Sequence, residues 1–287
     1  MMALRSKVSR YLPGRHRLTA CCLWVTLMAG LFPATSLGQT TPTLIEGWLT
    51  ALNNPSAAGQ ARPEKSIASA LSGNVPWSHA FALLTEDIDV ILQQRRYLSA
   101  EMDTLKLTSR LSGHPGTASA LDEWQTRLDT LATDTMRTPG RFDLPSLGSQ
   151  PRQAPAMSKV HAWGVCTPPD WIEVWSLTGV TRLNWPRHAT LDDVFAALPA
   201  EASDKVDASY VISPQGAISR RGIASWNHQD TRLAPGSRII TELPERGLTG
   251  ALAMDDASTA QAILNQQLAE LLANFLPGEH CTRWQNQ

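Results

Sequence analysis

The 287-residue chain has no apolar run long enough to cross a membrane, no excess of one charge and little cysteine. Its 25 basic and 26 acidic side chains nearly cancel. Lys and Arg are dispersed, so the chain lacks the electrostatic footprint of a nucleic-acid binder. At 43% hydrophobic and 18% charged it is not composed like a disordered chain. Catalytic signatures are missing as well. There is no Gly-x-Ser-x-Gly elbow and no glycine-rich phosphate loop ending in Lys-Ser or Lys-Thr. No His-Glu-x-x-His or close histidine pair offers itself to zinc; the histidines at 79, 114, 161, 188, 228 and 280 stand singly. Asp192 and Asp193 are adjacent, and neighbours on a helix point in different directions, so they read as a capped helix start rather than paired acids. The expectation is a protein without catalytic residues, cofactor or metal.

The near-zero charge hides two unlike parts. Residues 1–38 hold five basic side chains (Arg5, Lys7, Arg10, Arg15, Arg17), no acid and two of the four cysteines. The remaining 249 residues carry 20 basic and 26 acidic groups, a net of 20 − 26 = −6. Leu18 to Phe32 is an apolar run of fifteen residues, and Ser36-Leu37-Gly38 places small residues for cleavage before Gln39. This is the layout of a cleaved secretory signal. A membrane span needs about 20 apolar residues, and Pro33 closes this run early. A lipoprotein box at Leu18 to Cys21 is rejected because the apolar stretch follows the cysteine instead of preceding it. The expectation is a soluble, exported protein with no transmembrane anchor after cleavage behind Gly38.

The two cysteines left after cleavage, Cys166 and Cys281, suggest one bridge in an oxidising compartment. It would fasten the C-terminal tail to the region around Cys166. The alternative is two unpaired thiols.

From Trp77 the pattern turns helical, with Leu84, Ile88, Ile91, Leu98, Met102 and Leu105 on one stripe and Arg95 interrupting it. Ser112 to Gly116 is a breaker cluster. Leu121, Trp124, Leu128 and Leu131 mark a second helix, so residues 77–135 read as a helical hairpin. Thr138-Pro139-Gly140 ends it. Phe142 to Met157 is Pro-rich and loop-like, which places an internal boundary there. Beyond it, β-rich runs at Val160–Val165, Ile172–Leu177, Ser209–Ile212, Ala217–Arg220 and Arg238–Leu243 flank one Thr-capped helix at 190–198, an α+β pattern. Residues 255–276 form an amphipathic helix stopped by Pro277-Gly278. Its Leu268, Leu271, Leu272 and Phe275 could meet an exporter or cover the protein's own sheet. With no Lys or Arg between Asp255 and Pro277, lipid is the weaker choice.

Tryptophan is abundant, ten against five Phe and three Tyr. Trp163, Trp171, Trp175 and Trp185 cluster, which permits saccharide stacking, but core filling in a Phe-poor domain is the preferred reading.

Three segments in order, Tyr210-Val211-Ile212-Ser213-Pro214-Gln215-Gly216, Ile223-Ala224-Ser225-Trp226-Asn227 and Leu233-Ala234-Pro235-Gly236-Ser237-Arg238-Ile239, resemble the capsule biosynthesis GfcC family. Gly140-Arg141 after the hairpin and Val160–Val165 as the strand opening the last domain agree with it. The resemblance runs from about Ser66 to Leu243. It implies a periplasmic, non-enzymatic accessory of capsule or exopolysaccharide assembly that binds polysaccharide or the outer-membrane export machinery. The implied fold is α+β: one or more β-grasp domains with an inserted helical hairpin and a C-terminal amphipathic helix. The expected organisation is a signal at 1–38, an N-terminal region at 39–157, a β-grasp-like domain at 158–246 and the helix at 255–276. Arg141 to Met157 is short for a complete first β-grasp domain, which is either reduced or completed by Gln39 to Ser72. Arg141, Trp226 and Asn227 are candidate contacts for ligand or partner, with Trp226 expected to anchor the sheet and Asn227 to satisfy loop backbone. A secreted glycan-active enzyme, or an envelope-assembly module without glycan, remain the alternatives.

Overall fold

The structure, a computed structural model, describes residues 41–53, 75–202, 206–242, 256–278 and 280–286. The export signal at 1–38, its cleavage site and the ends of the expected domains at 39–40, 243–246 and 255 lie outside the described residues. Thr40–Gln287 forms one compact unit.

Two sheets organise it. The first has three antiparallel strands in the order β1-β2-β8: β1 (Ala80–Leu84), β2 (Val160–Cys166) and β8 (Cys281–Gln285). Trp77–His79 is a single 3₁₀ turn, and the helix expected from Trp77 begins only at Thr85. Ala80–Leu84 is a short continuous apolar run, which periodicity cannot assign to helix or strand. Pairing with Val160–Val165 decides it. Those β2 residues therefore form the middle strand of this small sheet, rather than opening the larger one as the resemblance implied they would. The Pro-rich stretch before them is also more ordered than a loop. It contains α4 (Leu144–Ser149), whose first turn is capped by Asp143 accepting from Ser146 N. Preceding all of this, α1 (Leu44–Asn53) lays Leu44, Trp48 and Ala51 on the small sheet, beside Trp163 and Trp284.

Between β1 and α4 runs the helical hairpin, α2 (Thr85–Leu111) and α3 (Pro115–Asp129). Ile91, Leu98, Met102 and Leu105 face Leu121, Trp124 and Leu128 in one buried cluster. Arg95, which breaks the stripe, donates to Leu131 O at 2.9 Å and Leu128 O at 2.7 Å. A cation thus meets the carbonyls where α3 ends. That end is Asp129; the Thr138-Pro139-Gly140 segment lies further along and bridges to Ala82 of β1.

The second sheet has five strands: β3 (Trp171–Ser176), β4 (Gly179–Asn184), β5 (Ala208–Ile212), β6 (Ile218–Gly222) and β7 (Arg238–Thr241). Their order is β4-β3-β7-β5-β6, with β3 and β7 parallel and the other pairs antiparallel. Side chains alternate across the sheet. Trp175, Ile212 and Ile240 pack with the hairpin and with α6 (Asp256–Ala273); Ile172, Val174, Val211 and Ile239 pack with α5 (Leu191–Ala197). The architecture is α+β.

The Thr cap of α5 forms a complete capping box. Thr190 Oγ1 accepts from Asp193 N at 3.3 Å, and Asp193 Oδ2 accepts from Thr190 N at 2.9 Å. Thr190→Ala is expected to cost about 1 kcal/mol, read as a lower urea midpoint at unchanged m-value; no shift would mean that α5 is held by packing alone.

Candidate functional surfaces

The strongest charge cluster sits inside the protein, under the hairpin. Glu173 of β3 is fully buried. Its Oε2 accepts from Arg127 Nη2 at 2.7 Å and Arg182 Nε at 3.0 Å; its Oε1 accepts from Arg238 Nε at 3.2 Å and Trp175 Nε1 at 3.1 Å. Burial alone would raise its pKa, but the Arg238 and Arg127 guanidiniums outweigh that and hold it at about 2. Arg238 also donates to Leu272 O, Phe275 O and Leu276 O at the end of α6. Arg137 reaches the same end, donating to Ala273 O at 2.8 Å and to Pro214 O. Burial, then the nearby Arg238 charge, pull the Arg137 pKa down to about 9. Sequence reasoning missed this cluster. Its one available signal was a lone carboxylate inside the otherwise apolar run Trp171 to Trp175.

Arg141 lies elsewhere, at the foot of α4. Its exposed guanidinium contacts Asp143 Oδ2 at 3.3 Å, the same carboxylate that caps α4. With Ser146, Leu147, Ser149, Gln150 and Gln153 it lines a surface depression of about 320 Å³.

Leu268, Leu271, Leu272 and Phe275 are completely buried against the hairpin and the large sheet. Of the two readings of these four, the structure shows the second: they cover the protein's own core, and a docking role for them is set aside. The helix is not cleanly two-faced, because Asn265 is buried while Ile263 is exposed.

Trp226 requires the opposite correction. It does not anchor the sheet; it is 75% exposed at the tip of the loop after β6. Asn227 beside it turns inward and donates from Nδ2 to Asp207 O at 2.9 Å. The clustered tryptophans follow the core-filling reading. Trp175 is fully buried, Trp163 and Trp171 nearly so, and Trp185 is half-buried with its indole N–H on Leu233 O.

Cys166 and Cys281 are joined by a disulfide. They are direct partners across the β2–β8 ladder, so the bridge closes one end of the small sheet. Among the described residues, no group of three or more His, Cys, Asp or Glu is gathered where it could hold a metal, and no helix is long and apolar enough to cross a membrane. Thus the structure brings Trp226 and Asn227 together in one loop, and leaves Arg141, the α6 leucines and the disulfide at separate places.

Residues 180–277 match a family model described as capsule biosynthesis GfcC C-terminal. The match contains β4 to β7, α5 and α6, together with Trp226 and Asn227; residues 66–179 of the resemblance fall outside it. Among curated proteins no relative matches the chain.

Proposed function

We propose, from the match of residues 180–277 to the C-terminal model of the capsule biosynthesis GfcC family, that the protein is a periplasmic, non-enzymatic accessory of capsule or exopolysaccharide assembly and export. The observation that carries the reading is the family match over the residues that build most of the large sheet. The export layout of residues 1–38 supports the periplasmic part. We read the large sheet as a β-grasp unit. Two hairpins, β3–β4 and β5–β6, flank the crossing helix α5, and the last strand enters the middle parallel to the first. The helical hairpin precedes this unit in the chain and α6 follows it.

The non-enzymatic part draws on how the buried charges are used. Glu173, held ionised to about pH 2, is committed to three guanidiniums and an indole N–H. A carboxylate fixed in that way neither gives nor takes a proton near neutrality. Arg238 beside it, together with Arg137, holds the carbonyl end of α6 in place.

Deleting the gene in the source strain is expected to lower surface polysaccharide, and a plasmid copy to restore it. Unchanged surface polysaccharide in the deletion strain would overturn the reading. Chain shortening of purified capsular polysaccharide by the purified protein would overturn its non-enzymatic part.

A further inference from the structure

We propose that the Trp226 loop is a saccharide-stacking site, in which the indole face of Trp226 receives the C–H face of a hexopyranose ring and polar groups around it receive the ring hydroxyls. The proposal rests on the reading of the protein as an accessory of polysaccharide assembly, and names where the glycan is held.

Trp226 stands apart from the other described tryptophans. Eight of the nine are buried or half-buried, several in edge-on or stacked ring contacts inside the core. Tryptophan is highly buried on average because it carries so much apolar area. Leaving the indole in water is explained by a flexible loop or by a use for the exposed face. The loop is pinned. Asp207 O accepts three hydrogen bonds, from Ile223 N at 3.0 Å, Ala224 N at 3.4 Å and Asn227 Nδ2 at 2.9 Å. Gln229 N donates back to Gly222 O at 3.1 Å, and Asn227 N donates to Ala224 O at 3.0 Å. Gly222 allows this closure, since a Cβ there would stand 2.1 Å from Asn227 O. Downstream, Leu191 N donates to Thr231 O and Leu233 N to Ala189 O, which ties the loop to the start of α5. The Ser225–Trp226–Asn227 turn is therefore held from both sides while its central side chain faces water.

The surroundings select the ligand. Ser225, His228, Gln229 and Asp230 are all exposed, and His228 Nε2 contacts Asp192 Oδ2 at 2.9 Å on α5. The other exposed apolar residue of this region, Ile218, lies at the far end of β6, about 13 Å along the strand from Gly222. A protein interface would place its tryptophan within a core depleted of charged groups. A nucleic-acid strand would require a basic groove beside the ring, whereas the charges along this loop are mixed, with Asp192, Asp207 and Asp230 alongside Arg221 and Arg232. One exposed aromatic face with donors and acceptors in the same loop fits a sugar, which presents apolar and hydroxylated edges together. The family match, described as capsule biosynthesis, covers this loop.

The test titrates the exported protein, purified from the periplasm, with oligosaccharides released by partial hydrolysis of the source strain's capsular polysaccharide. Calorimetry is expected to show binding that Trp226→Ala weakens roughly tenfold or more, the scale of lost aromatic stacking, and that Trp226→Phe largely keeps. Because the side chain is exposed, the Ala variant should melt with wild type. A readout without any variant uses N-bromosuccinimide, which should oxidise Trp226 first in the wild-type protein and be blocked there by saturating oligosaccharide. No binding, equal binding by the Ala variant, or undiminished Trp226 oxidation in the presence of oligosaccharide would overturn the proposal. These results differ from a failure of the accessory reading, which is an unchanged amount of surface polysaccharide in the deletion strain.

Discussion

Glu173→Gln lowers stability by about 3–5 kcal/mol, the usual consequence of removing one partner from a buried charge cluster. The carboxylate is fully buried and meets Arg127, Arg182 and Arg238 within 3.2 Å. A neutral amide keeps an acceptor but removes the charge, and its NH₂ group turns toward guanidinium donors. Arg238, itself buried, is left without its carboxylate while still fastening Leu272, Phe275 and Leu276 to β7. The loss therefore reaches the contact between α6 and the large sheet. The pH dependence gives a second, independent reading. The Glu173 pKa falls from 4.5 to about 2 on folding. A depressed carboxylate stabilises the folded state in full above its unfolded pKa and loses that contribution as pH falls toward its folded pKa. The shift corresponds to about 3 kcal/mol present at pH 7 and lost between about pH 4.5 and 2. Urea midpoints measured across that window should fall steeply for the wild-type protein and less steeply for Glu173→Gln. A variant within 1 kcal/mol of wild type, with the same acid slope, would show that the cluster is not a net stabiliser.

The parts legible in the sequence are those whose signal is local. The hairpin follows from apolar residues at helical spacing, because Leu98, Met102 and Leu105 must find Leu121 and Trp124 across a short breaker turn. The α5 cap follows from Thr190 and the acidic residue three positions on. What the sequence hid depends on distant pairing. Ala80–Leu84 reads equally as the first turn of a helix, and only β2, some eighty residues away, makes it a strand. Cys281–Gln285 reads as a tail after a helix stop, yet it pairs residue for residue with Ala162–Cys166. Trp226 was legible as part of a distinctive segment but not as exposed, since whether a loop turns its ring inward is decided by hydrogen bonds to Asp207 O from across the β5–β6 hairpin. The leucines of α6 left two readings open. An apolar helical stripe fits a partner's groove and the protein's own sheet alike, and the unclaimed face of β5 and β7 took it.

Reducing the Cys166–Cys281 bridge, or replacing both cysteines with alanine, is expected to lower stability by about 4–5 kcal/mol. The bond closes a loop of 115 residues, and closing a loop of that length removes this much chain entropy from the unfolded state in the loop-entropy model. The change should be uneven across the molecule, because β8 is an edge strand with a single ladder partner. Without the covalent tie its five residues are held by the β2 ladder and by Trp284, which stacks on Trp163 with ring centroids 6.4 Å apart and meets Trp48 edge-on at 5.7 Å. The strand should fray first, opening locally well below the global unfolding energy. Hydrogen exchange at residues 282–285 and in β2 should then accelerate on reduction, while β3, β5 and β7 of the large sheet keep their protection at low denaturant. Trp284 entering water should shift the emission to the red before the main transition. Thiol counting on denatured, unreduced protein that begins at Gln39 should find none; two reactive thiols would remove the premise. Uniform loss of protection across both sheets would instead mean that the small sheet and the large one unfold as a single cooperative unit, with the disulfide acting on the whole fold rather than on its C-terminal strand.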